Sequence, residues 1–154
     1  MSVYLDNAAA TTEHVSGIAG MAKALEIAYS GLDHHQEAVE NLKRFCIQRL
    51  QAGVPGIGFN GCSAVPGKSL YTVLSACFPD NGLDLLSYLD QKGIAASGGS
   101  ACNSHGKGSH VIRALQNGPQ RQVIRFSFSR YNTLQELKLL ASELAAVYEH
   151  AAVA

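Results

Sequence analysis

The stretch Val123-Ile124-Arg125-Phe126-Ser127-Phe128-Ser129-Arg130-Tyr131-Asn132-Thr133-Leu134-Gln135-Glu136-Leu137 holds two structural periods side by side. From Val123 to Phe128 the side chains alternate, with Ile124, Phe126 and Phe128 against Val123, Arg125 and Ser127. That alternation predicts a half-exposed strand with one apolar and one polar face. Thr133 with Glu136 has the spacing of a capping box, so a helix is expected from Leu134 to about His150. A strand that hands over directly to a capped helix points to a mixed fold of helices and sheet.

Working toward the N-terminus, the middle of the chain supports this. Ile57 to Asn60 and Leu70 to Cys77 are short apolar segments bounded by Gly, Pro and Asn, and both read as strands, with a turn at Pro66-Gly67 between them. Leu83, Leu85, Leu86 and Leu89 predict a helix that stops at Gly93, and Ile94 to Ala96 a short strand beyond it. Further on, Ser109 is placed to cap a short helix carrying Val111, Ile112 and Leu115. Upstream, Val15, Ile18, Ala22, Leu25 and Tyr29 recur every three or four residues, and the pattern resumes at Ala38, Leu42, Phe45 and Leu50 after an interruption at Gly31. This is one long helix kinked near Gly31 or two in series, ending near Gly53. The expected fold is α+β, a small antiparallel or mixed sheet flanked by helices.

A chain of 154 residues suits one core. Its 12 basic and 12 acidic side chains cancel, and no basic stripe is interleaved with aromatics, so neither nucleic acid nor an anionic membrane is an expected partner. No run of about 18 apolar residues occurs, and Met1-Ser2-Val3-Tyr4-Leu5-Asp6 lacks a basic, then apolar, leader pattern. A cytoplasmic location is expected. The four cysteines lie far apart with no C-x-x-C pair, which fits reduced thiols better than disulfides.

One of those cysteines stands apart. Cys102 lies within Ser97-Gly98-Gly99-Ser100-Ala101-Cys102-Asn103-Ser104-His105-Gly106, a run of small residues that builds loop rather than core. A thiol on such a loop has the character of a reagent, since exposure and thiolate formation govern cysteine reactivity. Cys46 and Cys77 sit in apolar segments and are expected in the core, whereas Cys62, in Asn60-Gly61-Cys62-Ser63, fits either role. Cys102 with His105 and His110 also offers thiolate and imidazole, both zinc ligands, although a fourth ligand is not evident. Ser100 and Ser104 could hydrogen-bond a thiolate or serve turns. Arg130 reads as a solvated charge at the strand end.

Three stretches in this order, Tyr4 to Thr12 (YLDNAAATT), Ser97 to Ser104 (SGGSACNS) and Ile124 to Thr133 (IRFSFSRYNT), resemble the signatures of cysteine desulfurases of the NifS and IscS type, in the class V aminotransferase superfamily. The resemblance implies the small domain of a fold-type I pyridoxal phosphate (PLP) enzyme. It assigns residues 1–12 to the family's N-terminal segment and 13–154 to its small C-terminal domain, with the large PLP domain that stands between them in the family absent, since Thr12 runs straight into Glu13. It implies Cys102 as the nucleophile that takes sulfur from L-cysteine, leaving alanine and a persulfide. Arg125 becomes the clamp on the substrate carboxylate, for which a planar guanidinium suits two oxygens. Asn7 and Ala8 become part of the substrate pocket wall. The chain departs from the pattern in carrying three alanines before its threonines, and His105, Lys107 and His110 in the loop.

None of the six lysines (Lys23, Lys43, Lys68, Lys92, Lys107, Lys138) follows a histidine, as the family's Schiff-base lysine does, so no cofactor is expected in this chain although the full-length family uses PLP. The functional expectation is a truncated desulfurase-like protein, inactive alone. The alternatives are a non-enzymatic persulfide carrier or partner-binding module, which would take sulfur from a donor protein or pass it to an acceptor, and an inert deletion product. Loss of the large domain would expose apolar surface along the first helix and the sheet, so a homo-oligomer is also possible in principle.

Overall fold

A computed structural model describes residues 15–98, residue 114 and residues 121–151. Its elements are α1 (Val15–Ser30), α2 (Leu32–Gly53), β1 (Gly58–Phe59), β2 (Val73–Pro79), α3 (Leu85–Gln91), β3 (Arg121–Ser127) and α4 (Leu134–Ala151). The chain divides into two compact units at His35/Gln36.

In the first unit, the interruption expected at Gly31 separates α1 from α2 by that one residue. The Ser30 hydroxyl donates to the Ile27 carbonyl at 3.1 Å, and the Gly31 N–H shares that acceptor at 3.3 Å. Every side chain of α1 is exposed.

In the second unit, β1, β2 and β3 form an antiparallel sheet in that order. The register pairs Leu74 with Phe126 and Ala76 with Ile124, which puts the apolar rows of β2 and β3 on one face. Those rows join Val39, Cys46 and Leu50 of α2, Leu85 and Leu89 of α3, and Leu137, Leu140, Leu144 and Tyr148 of α4 in a single core. Phe78 stands at its centre, edge-on to Phe126 and stacked on Tyr148, each at 6.4 Å between ring centres. Tyr148 resolves its own burial by donating its hydroxyl to the Pro79 carbonyl at 2.6 Å. The α+β architecture expected from the sequence is the one observed.

The cap expected at Thr133 forms, and a second one, at Asp84, starts α3 at Leu85 rather than Leu83. The Thr133 N–H donates to the Glu136 carboxylate at 2.6 Å, and the Glu136 N–H donates back to the Thr133 hydroxyl at 3.3 Å. Asp84 caps α3 by accepting from Leu86 N–H and Ser87 N–H, and the Leu85 N–H is taken by the Gln122 side chain of β3 at 2.9 Å.

Three expectations need correction. Ile94 to Ala96 is not a strand. Gly93 takes φ of 72°, its N–H bonds the Asp90 carbonyl and the Ile94 N–H bonds the Leu89 carbonyl. This is a Schellman closure that spends the Ile94 donor on the helix end rather than on a ladder. The second strand begins at Val73 rather than Leu70, because the Leu70 carbonyl accepts from the Val73 N–H in a turn and from the Lys43 ammonium. In α2 the fully buried row is Val39, Lys43, Cys46 and Leu50, while Leu42 and Phe45 flank it half-buried. Leu50 holds its predicted place, while Ala38, Leu42 and Phe45 each lie one position before a buried residue, since a lysine in the buried row breaks the apolar pattern. The short helix capped by Ser109 lies outside the described residues, apart from Ala114, which is helical.

Candidate active-site edge of the sheet

Arg125 is the sequence-predicted site residue on which the structure bears directly. It occupies the middle of β3, half-buried, on the row with Val123 and Ser127, opposite the core-facing Ile124 and Phe126. Its N–H donates to the Ser97 carbonyl at 2.7 Å, and the Ser97 N–H donates to the Arg125 carbonyl at 3.2 Å. The Ser97 hydroxyl reaches the same carbonyl at 3.4 Å. Both backbone groups of Arg125 therefore point at Ser97, so on its other side Arg125 faces Ser75 as a non-hydrogen-bonded pair, in which side chains approach more closely. Ser97 is where the small-residue run that carries Cys102 begins. The strand bearing the arginine and Ser97 are thus joined by a reciprocal pair of main-chain bonds.

The polar row continues across the sheet. Asn60, nearly fully buried, donates its N–H to the Ser75 carbonyl at 2.9 Å and its side-chain amide to the Ser75 hydroxyl at 3.0 Å. Ser63 also donates its hydroxyl to the Ser75 carbonyl at 3.0 Å. Asn60, Ser75, Arg125 and Ser97 consequently form one line of polar groups on the face away from the Phe78 core. Sequence reading missed Asn60 and Ser75. Ser75 sits in a continuous apolar run and Asn60 in a turn, and only the register brings them beside Arg125. A polar residue in the middle of a buried strand was the available signal.

The other predicted site residues, Cys102, Asn7 and Ala8, lie outside the described residues, as do Ser100, Ser104, Lys107 and the Cys102, His105 and His110 set considered for zinc. So does the boundary between residues 1–12 and 13–154. Among the described residues no group of three or more His, Cys, Asp or Glu is arranged to hold a metal. Cys46 and Cys77 are buried as expected, and burial pushes the Cys46 thiol up to about 12, out of thiolate chemistry. Cys62 is exposed. Arg130 lies beyond the end of β3, exposed, its guanidinium 4.9 Å from the Tyr131 ring centre and bonded to that hydroxyl at 2.7 Å.

The PLP implied for the full-length family needs a lysine amine, an acid for the ring nitrogen and a pocket of cofactor size. Lys43 is the buried lysine among the described residues, and its amine donates to the Ser69 hydroxyl at 3.0 Å and the Leu70 carbonyl at 2.8 Å. The pocket beside it measures about 100 Å³, well below the roughly 300 Å³ at which ligand sites of drug size begin. A larger groove of about 540 Å³ between α2 and α4 offers Arg49 and Lys138 with Ala, Gly, Ser and Leu, and no carboxylate. The described residues do not fit the cofactor.

Comparison with known proteins accords with this geometry. The class-V aminotransferase family pattern matches residues 4–140. A cysteine desulfurase IscS of Dictyoglomus turgidum is 30% identical over 150 residues, which is 94% of this chain and 37% of that protein. A cysteine desulfurase of Klebsiella pneumoniae is 37% identical over 149 residues, 91% of this chain and 35% of the relative. A solved NifS-like protein superposes with a TM-score of 0.68 at 26% identity, covering 92% of this chain and 35% of its own. A NifS-like protein from Rickettsia africae, TM-score 0.69 at 20% identity, shares the fold. The chain spans little more than a third of the length of the curated relatives it matches. Sheet order, the strand-to-helix passage at Thr133 and the family match over most of its residues together show that this chain belongs to the class-V aminotransferase family.

Proposed function

We propose that this chain is the small-domain portion of a cysteine desulfurase, that it has no desulfurase activity alone, and that Cys102 is a persulfide-bearing thiol charged by a complete desulfurase. The observation that carries the reading is the paired main-chain bond between Arg125 and Ser97. It ties the strand that carries a carboxylate-binding type of side chain to Ser97, five residues before Cys102 in the sequence. Residues 1–12 then belong to the family's N-terminal segment, with Asn7 and Ala8 contributing to the pocket of the complete enzyme, and L-cysteine is the substrate of that enzyme. PLP, bound by the complete enzyme, supplies the electron sink that loosens sulfur from carbon.

What this chain's own residues do is narrower. The Cys102 thiolate attacks the outer sulfur of a donor persulfide, the donor sulfur–sulfur bond breaks, the donor departs as a thiolate, and Cys102 carries the added sulfur with no net gain or loss of electrons. Arg125 orients an anionic carboxylate beside that loop. None of the described helices is long and apolar enough to cross a membrane, in keeping with the cytoplasmic setting this reading assumes.

Peptide mass spectrometry of all four cysteines, after incubation with a cysteine-charged complete desulfurase, tests the proposal. One added sulfur confined to Cys102 is expected, and none in Cys102→Ser. An unlabelled Cys102 would leave an inert deletion product as the reading. Sulfide released from L-cysteine and free PLP by this chain alone, and abolished in Cys102→Ser, would overturn the statement of inactivity.

A further inference from the structure

The cleft between α2 and the segment from Ala64 to Tyr71 contains neither Arg125 nor Ser97 in its lining. Its base carries a lysine that is only 7% exposed, in the row of α2 that otherwise faces the core. Lys43 has three N–H donors when charged, and among the described residues two acceptors meet them, the Ser69 hydroxyl and the Leu70 carbonyl. Ser69 in turn donates its own proton to the Ser63 carbonyl at 3.0 Å, so it is fixed as an acceptor toward Lys43. Two of its three donors are thus used among the described residues, and burial lowers the Lys43 pKa even though the Glu40 charge opposes the shift.

The walls fix the rest of the ligand. Ile47, Ala64, Pro66 and Tyr71 line the space with apolar surface, and Arg44 adds a second cation at its edge. Glu40 is the one carboxylate of the lining, and one of its oxygens is taken by the Gln36 side-chain amide at 2.8 Å. A volume of about 100 Å³ holds a group of side-chain size and no larger cofactor. From these residues we infer that the cleft binds a small monocarboxylate with a short branched apolar tail, its carboxylate on Lys43 and Arg44 and its tail against Ile47, Ala64, Pro66 and Tyr71. The structural role of Lys43, tying α2 to the Ser69-Leu70 turn, uses two donors.

Ligand-observed NMR titration of the full chain with isovalerate, and with isovaleramide as its uncharged counterpart, tests this. The acid is expected to bind at least about tenfold more tightly than the amide, the size of effect that losing a charge-assisted hydrogen bond produces. Lys43→Met should reduce acid binding to the level of the amide. Ala64→Phe fills the cleft without removing either Lys43 hydrogen bond, and should abolish binding of both, which decides the matter if Lys43→Met does not fold. Equal binding of acid and amide, unchanged binding in Ala64→Phe, or no saturable binding of the acid by the folded wild-type chain would each overturn the inference. Persulfide labelling of Cys102 has no part in these readouts, so the two proposals fail separately.

Discussion

Helix α1 carries two charged residues in 16 and buries none of its side chains, whereas α2 carries six in 22 and supplies Val39, Lys43, Cys46 and Leu50 to the interior. The more apolar helix is the exposed one. Val15, Ile18, Met21 and Tyr29 remain 66–72% exposed, while Leu50 is wholly buried. Periodicity reports that a helix has an apolar face, and says nothing about what covers it. An uncovered apolar face is also where association surfaces are found.

The contrast is broken or sharpened most directly by making one chemical change in both helices. Leu50→Ala should cost about 3 kcal/mol in urea denaturation, through lost burial and the cavity left in a packed core. Tyr148→Phe should cost about 1 kcal/mol, since it removes the donor to the Pro79 carbonyl but keeps the ring stacked on Phe78.

A smaller, pH-selective effect is expected at the start of α4. Hydrogen bonds from the Thr133 N–H, then from the Asn132 amide and the Thr133 hydroxyl, hold the Glu136 carboxyl below its usual range. A depressed folded pKa contributes stability that is present above the unfolded value and is lost as pH falls through the folded one. Glu136→Gln should therefore leave a flatter acid limb in the stability profile, with the largest difference from wild type at neutral pH. The smallest change belongs to Leu25→Ala in α1, within about 0.5 kcal/mol because Leu25 is half exposed. If Leu25→Ala instead costs as much as Leu50→Ala, and the loss depends on protein concentration, α1 is covered by a second copy in solution.

The residues of the candidate site differ in how far they could be read in advance. The alternation from Val123 to Phe128 put Arg125 on the polar face of β3, as observed, while its role was implied by the family resemblance and Cys102 lies outside the described residues. Asn60 and Ser75 were not legible, since each becomes a neighbour of Arg125 only through pairing between strands far apart in sequence. The burial of Lys43 was not read for a related reason. A lysine interrupts an apolar row in any window scan, yet its stem packs as a hydrocarbon and its amine finds Ser69 and Leu70, some 26 and 27 residues away.

What the sequence determined by itself was local. The break at Gly31, the cap at Thr133, the stop at Gly93 and the two faces of β3 all depend on side chains and backbone groups within a few residues of one another. Tertiary structure alone decided which faces were covered, that the Ile94 donor closes a helix instead of joining a ladder, and that the main chain of Arg125 pairs with Ser97. Those outcomes rest on hydrogen bonds and packing between segments distant in the chain, and no period within a single segment encodes its partner.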